Sequence, residues 1–326
     1  MQQSETLRFF TRTPDGFDEL LRGAAALPRV EIEGTLNLPP NGKGKLPLVI
    51  VSIGSRGLTS GREALYTAAL NKIGVATLIV DSFSSRGFAE TTSDQGKLSF
   101  AASVADALFA VDHMRDDPRF DSGRLALLGY SRGGLATVMA YDLRLQMAVL
   151  GREENFCAHV ALYPPCYIQW QNPRPPSVPM LSFFGGRDVQ ALATTGEAFM
   201  KRLNELGGKV QVITYPEAVH SFDAARPAAP TGGINLALAE IIVQDDGRMF
   251  EHTTGLRAEA GWSAFLKDLR QSVGRPGSIT GHGPLPRDVA VQPISEFLST
   301  AFGLGRPASP DKIEYSSAGG APNDES

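Results

Sequence analysis

Cysteine is almost absent from this chain of 326 residues, which contains only Cys157 and Cys166. Two thiols cannot build the disulfide framework of a small secreted protein, and their spacing matches no metal-binding motif. We therefore expect two free and mostly buried thiols, and no metal site built from cysteine.

The chain also lacks a long apolar run and an excess of positive charge. No stretch approaches the roughly 18 apolar residues that a membrane-spanning helix needs. The net charge of −4 leaves no basic surface of the kind that binds nucleic acid. Residues 1–8 do not place a basic segment before an apolar one, as a signal peptide does. These absences predict a cytoplasmic protein with no membrane or nucleic-acid partner.

Short apolar runs alternate with helical patterns along most of the chain. Residues 29–38 alternate apolar and polar side chains, which is typical of a half-buried antiparallel strand. Later runs are mostly apolar and predict strands at 46–53, 74–80, 124–128, 158–163, 179–184 and 210–215. Helical patterns cover residues 63–73, 100–114, 134–141, 190–205, 260–273 and 292–302. This alternation predicts the α/β class, with a doubly wound and mostly parallel sheet.

The length and the continuous alternation predict a single domain over residues 1–303. Residues 223–260 begin with a loop that contains Pro and Gly, and we interpret them as an insertion or cap near the functional site. Residues 304–326 are rich in Gly, Pro, Ser and Ala without apolar periodicity, which predicts a disordered tail.

The segment Gly129-Tyr-Ser-Arg-Gly133 lies between a predicted strand and a predicted helix. A Gly-x-Ser-x-Gly sequence at such a junction is the nucleophile elbow, in which larger residues in place of the glycines would collide with the neighbouring strand and helix. The turn lifts the serine hydroxyl above the sheet and points the first helical N–H groups at the group under attack. Ser131 is therefore the candidate nucleophile.

A serine nucleophile needs a base to accept its proton. The chain has five histidines, of which His113 and His159 fall in a predicted helix and strand, and His252 and His282 fall in the poorly defined late region. His220 follows the strand at 210–215, at the sheet edge where ligands bind in α/β proteins. We therefore choose His220 as the base.

The base in turn needs an acid that orients it, and after an elbow of this kind the acid precedes the histidine in the chain. Asp188 follows the strand at 179–184 through two glycines, in the required order. Its alternative role is to cap the next helix. Asp81, after the strand at 74–80, is the second choice of acid.

Stabilising an oxyanion takes two backbone N–H donors. One is expected from Arg132, directly after the nucleophile. The other is expected from Gly54 or Ser55, in the loop after the strand at 46–53.

Together these residues resemble the dienelactone-hydrolase-like branch of the α/β-hydrolase superfamily. Besides the elbow, the matching segments are 81–87, 162–166, 185–188 and 215–223, within roughly residues 30–225. The resemblance implies an α/β-hydrolase fold, a Ser131–Asp188–His220 triad, hydrolysis of an ester or lactone, and no metal or organic cofactor. The chain differs from dienelactone hydrolases proper in carrying serine where they carry cysteine. It also has Ile53 before Gly54 where many relatives have histidine.

The tripeptide Ser-Arg-Gly occurs three times, around Arg56, Arg86 and Arg132, each time just after a predicted strand. Because strand ends of a parallel sheet meet at one crevice, these guanidinium groups would suit a substrate that carries a carboxylate. Arg56 and Arg86 are therefore candidate substrate-binding residues, together with Tyr130. The alternative is that the arginines pair with nearby acids and hold loops in place.

The sequence thus predicts a serine hydrolase that cleaves a small-molecule ester or lactone through an acyl-enzyme, and the arginines add the hypothesis that this substrate is anionic. One alternative keeps the same triad and transfers the acyl group to an alcohol, an amine or peroxide, as an acyltransferase or perhydrolase does. A second alternative is a ligand-binding relative without catalysis. The residues leave the acyl chain, the leaving group and the oligomeric state open.

Overall fold

The computed structural model describes residues 3–40, 42–153 and 156–305. Its strands are β1 (Gln3–Thr11), β2 (Val30–Leu38), β3 (Leu46–Ser52), β4 (Ala76–Asp81), β5 (Phe120–Tyr130), β6 (Ala158–Leu162), β7 (Ile168–Trp170), β8 (Pro179–Gly185), β9 (Lys209–Tyr215), β10 (Ala229–Asn235), β11 (Ile241–Val243), β12 (Met249–Glu251) and β13 (Arg275–Thr280). Its helices are α1 (Phe17–Gly23), α2 (Arg62–Lys72), α3 (Phe100–Arg115), α4 (Arg132–Ala140), α5 (Leu143–Leu150), α6 (Ala193–Glu205), α7 (Trp262–Ser272) and α8 (Val291–Ala301).

Eight strands form the central sheet in the order β1-β2-β4-β3-β5-β6-β8-β9. The pairs β1–β2 and β2–β4 are antiparallel, and every later pair in the sheet is parallel. The predicted α/β class with a mostly parallel sheet is therefore confirmed. Strand order reverses around β3, so the carboxyl ends of β3 and β5 border a crevice of the kind where ligands bind in open α/β sheets.

Both faces of the sheet are buried, which explains the continuous apolar runs of its inner strands. Leu48 and Ile50 of β3 belong to a core that includes α3 and α4. Val49 and Val51, whose side chains alternate with them, belong to a second core with α2 and α8. Each such aliphatic side chain contributes roughly 1.5–3 kcal/mol through its burial. The sheet therefore forms a rigid base for the loops at its edge.

Strands β1 and β7 and helices α1 and α5 are not among the predicted elements. Strand β1 pairs with β2 along its whole length, from Gln3 against Leu38 to Thr11 against Val30. It lies at the edge of the sheet and is largely exposed on one face, where Arg8 forms an ion pair with Glu33. Its apolar residues are few, so the hydrophobic pattern alone did not mark it as a strand.

The late part of the chain forms two small sheets outside the central one. Strand β10, within the predicted cap 223–260, pairs antiparallel with β13, while β11 pairs with β12 and, in parallel, with β7. Residues outside 223–260 therefore complete the sheets of that segment. The single domain over 1–303 remains a prediction, and the predicted tail lies outside the described residues from 306 onward.

Both cysteines are free, with Cys166 buried and Cys157 partly buried. Burial raises the pKa of the Cys157 thiol to about 11 and raises the pKa of Cys166 as well. Both side chains are therefore protonated thiols at neutral pH, and they act as packing groups.

Candidate active site

Ser131 occupies the turn between β5 and α4 in a conformation that serine rarely adopts, with φ of 55° and ψ of −117°. A conformation of this kind costs about 1–3 kcal/mol and persists where the surroundings enforce it. The flanking glycines explain how the turn fits. A Cβ on Gly129 would lie 2.0 Å from the carbonyl oxygen of Gly133, and a Cβ on Gly133 would lie 1.9 Å from that of Ser52. Only glycine leaves room for helix α4 to start directly against the sheet.

The structure brings the predicted nucleophile, base and acid together. The Ser131 Oγ lies 2.8 Å from His220 Nε2, and His220 Nδ1 lies 2.7 Å from Asp188 Oδ2. The His220 and Asp188 residues are 5% and 3% exposed, so little water competes for these hydrogen bonds. With the Nδ1 proton donated to the carboxylate, Nε2 is free to accept the serine proton.

Asp188 does not cap the next helix, because the N-cap residue of α6 is Leu192 and no side chain caps it. Its Oδ1 accepts hydrogen bonds from the backbone N–H groups of Gln190 at 2.7 Å and Ala191 at 2.9 Å, just before α6. These bonds fix the carboxylate while Oδ2 remains directed at the imidazole. Asp81, the second choice of acid, instead accepts hydrogen bonds from the backbone N–H groups of Phe83 and Ser84.

A buried carboxylate that we did not select from the sequence holds the loop of His220. Asp223 Oδ1 accepts hydrogen bonds from Arg62 Nε at 2.7 Å and the Tyr163 hydroxyl at 2.6 Å, and Oδ2 accepts one from the Tyr66 hydroxyl at 2.7 Å. The Tyr163 ring also packs edge-on against the His220 imidazole, 4.9 Å between centroids. The sequence feature that could have indicated this role is the position of Asp223, three residues after His220.

The segment after β13 fixes the same loop from the other side. The backbone N–H of Gly281 donates to the carbonyl of His220 at 2.8 Å, and the N–H of His282 donates to that of Arg226 at 3.0 Å. His220 is therefore attached both to the central sheet and to the late part of the chain.

The predicted oxyanion donors lie next to the nucleophile. Arg132 is the first residue of α4, where the geometry of a helix leaves the N–H without an intrahelical acceptor. A Cβ placed on Gly54 would lie 3.5 Å from the Cβ of Ser131, so the loop after β3 passes directly beside the serine. Both Gly54 and Ser55 line the cavity at Ser131.

That cavity has a volume of about 400 Å³. Its lining includes Ser131, His220 and the loop after β3, together with residues of β10, β13 and α7. Arginines are prominent in its lining, which includes Arg56, Arg62, Arg132 and Arg270. The late segment therefore contributes part of the cavity wall.

Two predicted substrate-binding residues do not reach this cavity. Arg86 donates to both carboxylate oxygens of the buried Asp106, at 2.9 and 2.8 Å, because its loop lies against α3. The Tyr130 ring is buried and its hydroxyl donates to Glu63, because the last residue of β5 points its side chain away from the cavity. Arg56 does line the cavity and is half-buried.

The positive charges of the arginines near the cavity shift one another's pKa values. Burial, together with the charges of Arg56 and Arg62, lowers the pKa of Arg226. In contrast, the carboxylate of Asp223 is the main influence that raises the pKa of Arg62 against the opposing effect of its burial.

No group of three or more His, Cys, Asp or Glu residues among the described residues is placed to hold a metal ion. Within the same part of the chain, no helix has the length and apolarity to cross a membrane.

The chain is similar to several characterised proteins at low identity. It is 21% identical over 215 residues to acylamino-acid-releasing enzyme 2 of Oryza sativa subsp. japonica, and it spans 28% of that protein's length and 55% of its own. Thermogutta terrifontis esterase 2, in a structure phosphoramylated by tabun, shares 15% identity over 60% of this chain and 81% of that one, with a TM-score of 0.50. A hyperthermophilic esterase of the archaeon Pyrobaculum calidifontis shares 17% identity over 68% and 78%, with a TM-score of 0.49.

A family profile covers much more of the chain than any single motif does. The profile of the dienelactone hydrolase family matches residues 32–271, from β2 to the end of α7. This range contains the elbow, the two partners of Ser131 and most of the cavity wall. The chain therefore belongs to the dienelactone hydrolase family.

Proposed function

We propose that the protein hydrolyses a small carboxylic ester or lactone through an acyl-enzyme formed on Ser131. One observation supports this more than any other. The Ser131 hydroxyl, the His220 imidazole and the Asp188 carboxylate form a hydrogen-bonded series with contacts of 2.8 and 2.7 Å, at the wall of a cavity of about 400 Å³.

In the proposed reaction, His220 Nε2 accepts the proton of Ser131 as the Oγ attacks the carbonyl carbon of the substrate. Asp188 stabilises the imidazolium that forms. The negative charge on the former carbonyl oxygen is stabilised by the N–H of Arg132 and by an N–H of Gly54 or Ser55. His220 then protonates the leaving alkoxide, and it later activates the water that cleaves the acyl-enzyme.

We further propose that the preferred substrate is anionic. Arg56, Arg62 and Arg270 line the cavity. Arg62 is neutralised by Asp223, whereas Arg270 lies 3.8 Å from its nearest carboxylate, that of Asp94. A substrate carboxylate in the cavity would meet the guanidinium groups of Arg56 and Arg270, and arginine binds carboxylates through paired hydrogen bonds.

The proposal is tested with purified wild-type protein and Ser131→Ala on a panel of esters and lactones with neutral and acidic acyl groups. We expect turnover by the wild type, and a loss of at least about 10³-fold in the variant. A fluorophosphonate probe should label the wild type on Ser131 only. Equal activity of the two proteins would refute the mechanism.

The same assays separate hydrolysis from acyl transfer and from simple ligand binding. Products are analysed with an alcohol, an amine or peroxide present beside water. We expect the free acid as the main product. Predominant transfer to an added acceptor would replace hydrolysis with an acyltransferase or perhydrolase activity, and absence of both labelling and turnover would indicate a binding protein.

A further inference from the structure

The side chain of Arg132 has an unusual environment for a charged group. It is 1% exposed, and its guanidinium lies 4.3 Å from the centroid of the Phe100 ring. Burial lowers its pKa to about 10, so the group is still positively charged at neutral pH. Burying a charge costs several kcal/mol unless its surroundings compensate for the lost hydration. The contacts that compensate here therefore indicate what the side chain does.

Every acceptor of this guanidinium is a neutral oxygen. Nη1 donates to the backbone carbonyls of Leu98 at 3.0 Å and Ser99 at 3.2 Å, with the Ser103 hydroxyl at 3.4 Å. Nη2 donates to Gln95, at 2.5 Å to Oε1 and 3.4 Å to the backbone carbonyl. Nε lies 3.4 Å from the Ser55 hydroxyl. Because a guanidinium has five N–H groups, these contacts occupy all of them and leave no donor for a substrate carboxylate.

Gln95 connects Arg132 to the loop after β3 that contains Gly54 and Ser55, called the oxyanion loop below. Its Nε2 lies 3.0 Å from the Ser55 Oγ, whereas the Nε of Arg132 lies 3.4 Å from the same oxygen. Its backbone carbonyl accepts a hydrogen bond from the indole N–H of Trp262 at 2.9 Å, so α7 holds Gln95 from the other side. The carbonyl of Ser55 in turn accepts a hydrogen bond from the N–H of Thr91 at 2.7 Å. Ser55 is thus held through both its side chain and its backbone.

We propose that the Arg132 guanidinium and Gln95 are positioning groups that hold the Ser55 loop beside Ser131, so that the second oxyanion donor is correctly placed. One residue then serves both halves of the oxyanion site, because the backbone N–H of Arg132 is one donor and its side chain fixes the loop that supplies the other. The elbow arginine accordingly does not select an anionic substrate. This inference rests on the proposed esterase function and adds to it the residues that organise the oxyanion site.

Substitutions at Gln95 distinguish two effects: the hydrogen bonds that hold Ser55 in place, called the tether below, and the positive charge of Arg132. Gln95→Met keeps the size of the side chain and removes its hydrogen bonds to Arg132 and Ser55. Gln95→Glu keeps an acceptor for both, but it neutralises the charge of Arg132. Since misplacing a reacting group by about 1 Å can cost ~100-fold, we expect Gln95→Met to lower kcat about tenfold or more with little change in KM. We expect Gln95→Glu to retain at least about three times the kcat of Gln95→Met.

Two serines that contact Arg132 provide a matched pair for the same test. Ser55→Ala removes the hydroxyl tether and keeps the backbone N–H, while Ser103→Ala removes an Arg132 acceptor that lies in α3, outside the oxyanion loop. We expect kcat to fall about fivefold or more in Ser55→Ala and to stay within about twofold of the wild type in Ser103→Ala. Thermal unfolding of all four variants shows whether a loss of kcat merely follows a loss of stability.

The outcomes distinguish this inference from the proposed function. If Ser131→Ala abolishes turnover but Gln95→Met and Ser55→Ala keep the wild-type kcat, the positioning role is refuted and the esterase function stands. If Gln95→Glu loses as much kcat as Gln95→Met, or raises KM only for acidic esters, the charge of Arg132 acts directly and the tether is refuted. If the wild type has no turnover, the proposed function itself fails.

Discussion

His159, a histidine with no part in the proposed reaction, should contribute strongly to the change of the free energy of unfolding with pH. It lies on β6 with none of its surface exposed, between the ring of Tyr141 at 5.1 Å and the ring of Phe156 at 4.8 Å. Burial lowers its pKa to about 3, and only a backbone contact with Thr137 acts in the opposite direction. In an unfolded chain the same group titrates near ~6.5.

The sign of the effect follows from these two values. Between pH ~6.5 and about 3 the unfolded chain binds a proton at His159 and the folded protein does not, so acid stabilises the unfolded state. The contribution is fully favourable to folding above pH ~6.5 and is lost progressively as the pH falls. With ~1.4 kcal/mol for each pH unit below ~6.5, the loss amounts to about 2 kcal/mol at pH 5 relative to pH 8.

Urea unfolding of three proteins at pH 8 and pH 5 measures this contribution. His159→Gln removes the titrating group, and His252→Gln makes the same change at an exposed histidine. Groups that titrate equally in all three proteins cancel when the differences between the two pH values are compared. We expect the wild type and His252→Gln to lose about 2 kcal/mol more than His159→Gln does. An identical loss in all three proteins would show that His159 titrates normally in the folded state.

Two further predictions concern the cavity and the elbow. Arg56→Gln should raise the KM of an acidic ester about fivefold or more, while the KM of its amide-capped analogue stays nearly unchanged. The control is Arg187→Gln, which replaces an exposed arginine that pairs with Glu217. Equal effects on both esters, or the same effect in Arg187→Gln, would contradict an anionic substrate. Gly133→Ala should lower the free energy of unfolding by about 3 kcal/mol or prevent folding, because the added methyl carbon would lie 1.9 Å from a backbone oxygen. Gly232→Ala, whose added carbon would have no atom within 4 Å, should unfold in urea like the wild type. Equal stability of the two variants would refute the steric argument.

The sheet and the triad geometry could be anticipated because their signals are local. Each inner strand is an apolar run that ends in a polar or glycine-rich turn, and parallel strands bring their ends to one edge whatever lies between them. Ser131, Asp188 and His220 each follow such a strand, so their order in the chain was enough to place them together. Their catalytic roles stay predictions until the variants are measured.

The environments of the arginines could not be anticipated because they depend on distant residues. Arg56, Arg86 and Arg132 share the same tripeptide, yet Arg56 is a partly exposed residue of the cavity wall, Arg86 pairs with Asp106 in α3, and Arg132 is buried among neutral oxygens. The short strands of the late segment were also missed. A strand of three residues, such as β11, is too short to show a hydrophobic period.

The contact between α7 and Gln95 gives the protein an internal optical reporter. The chain contains two tryptophans, Trp170 and Trp262, both almost fully buried. The indole of Trp262 donates its N–H to the carbonyl of Gln95, one residue away from the oxyanion loop in the hydrogen-bond network. In a Trp170→Phe background the emission of Trp262 would therefore report on the surroundings of Gln95, and a change of emission during turnover would show that acylation of Ser131 is felt at that residue, even with substrates that carry no chromophore.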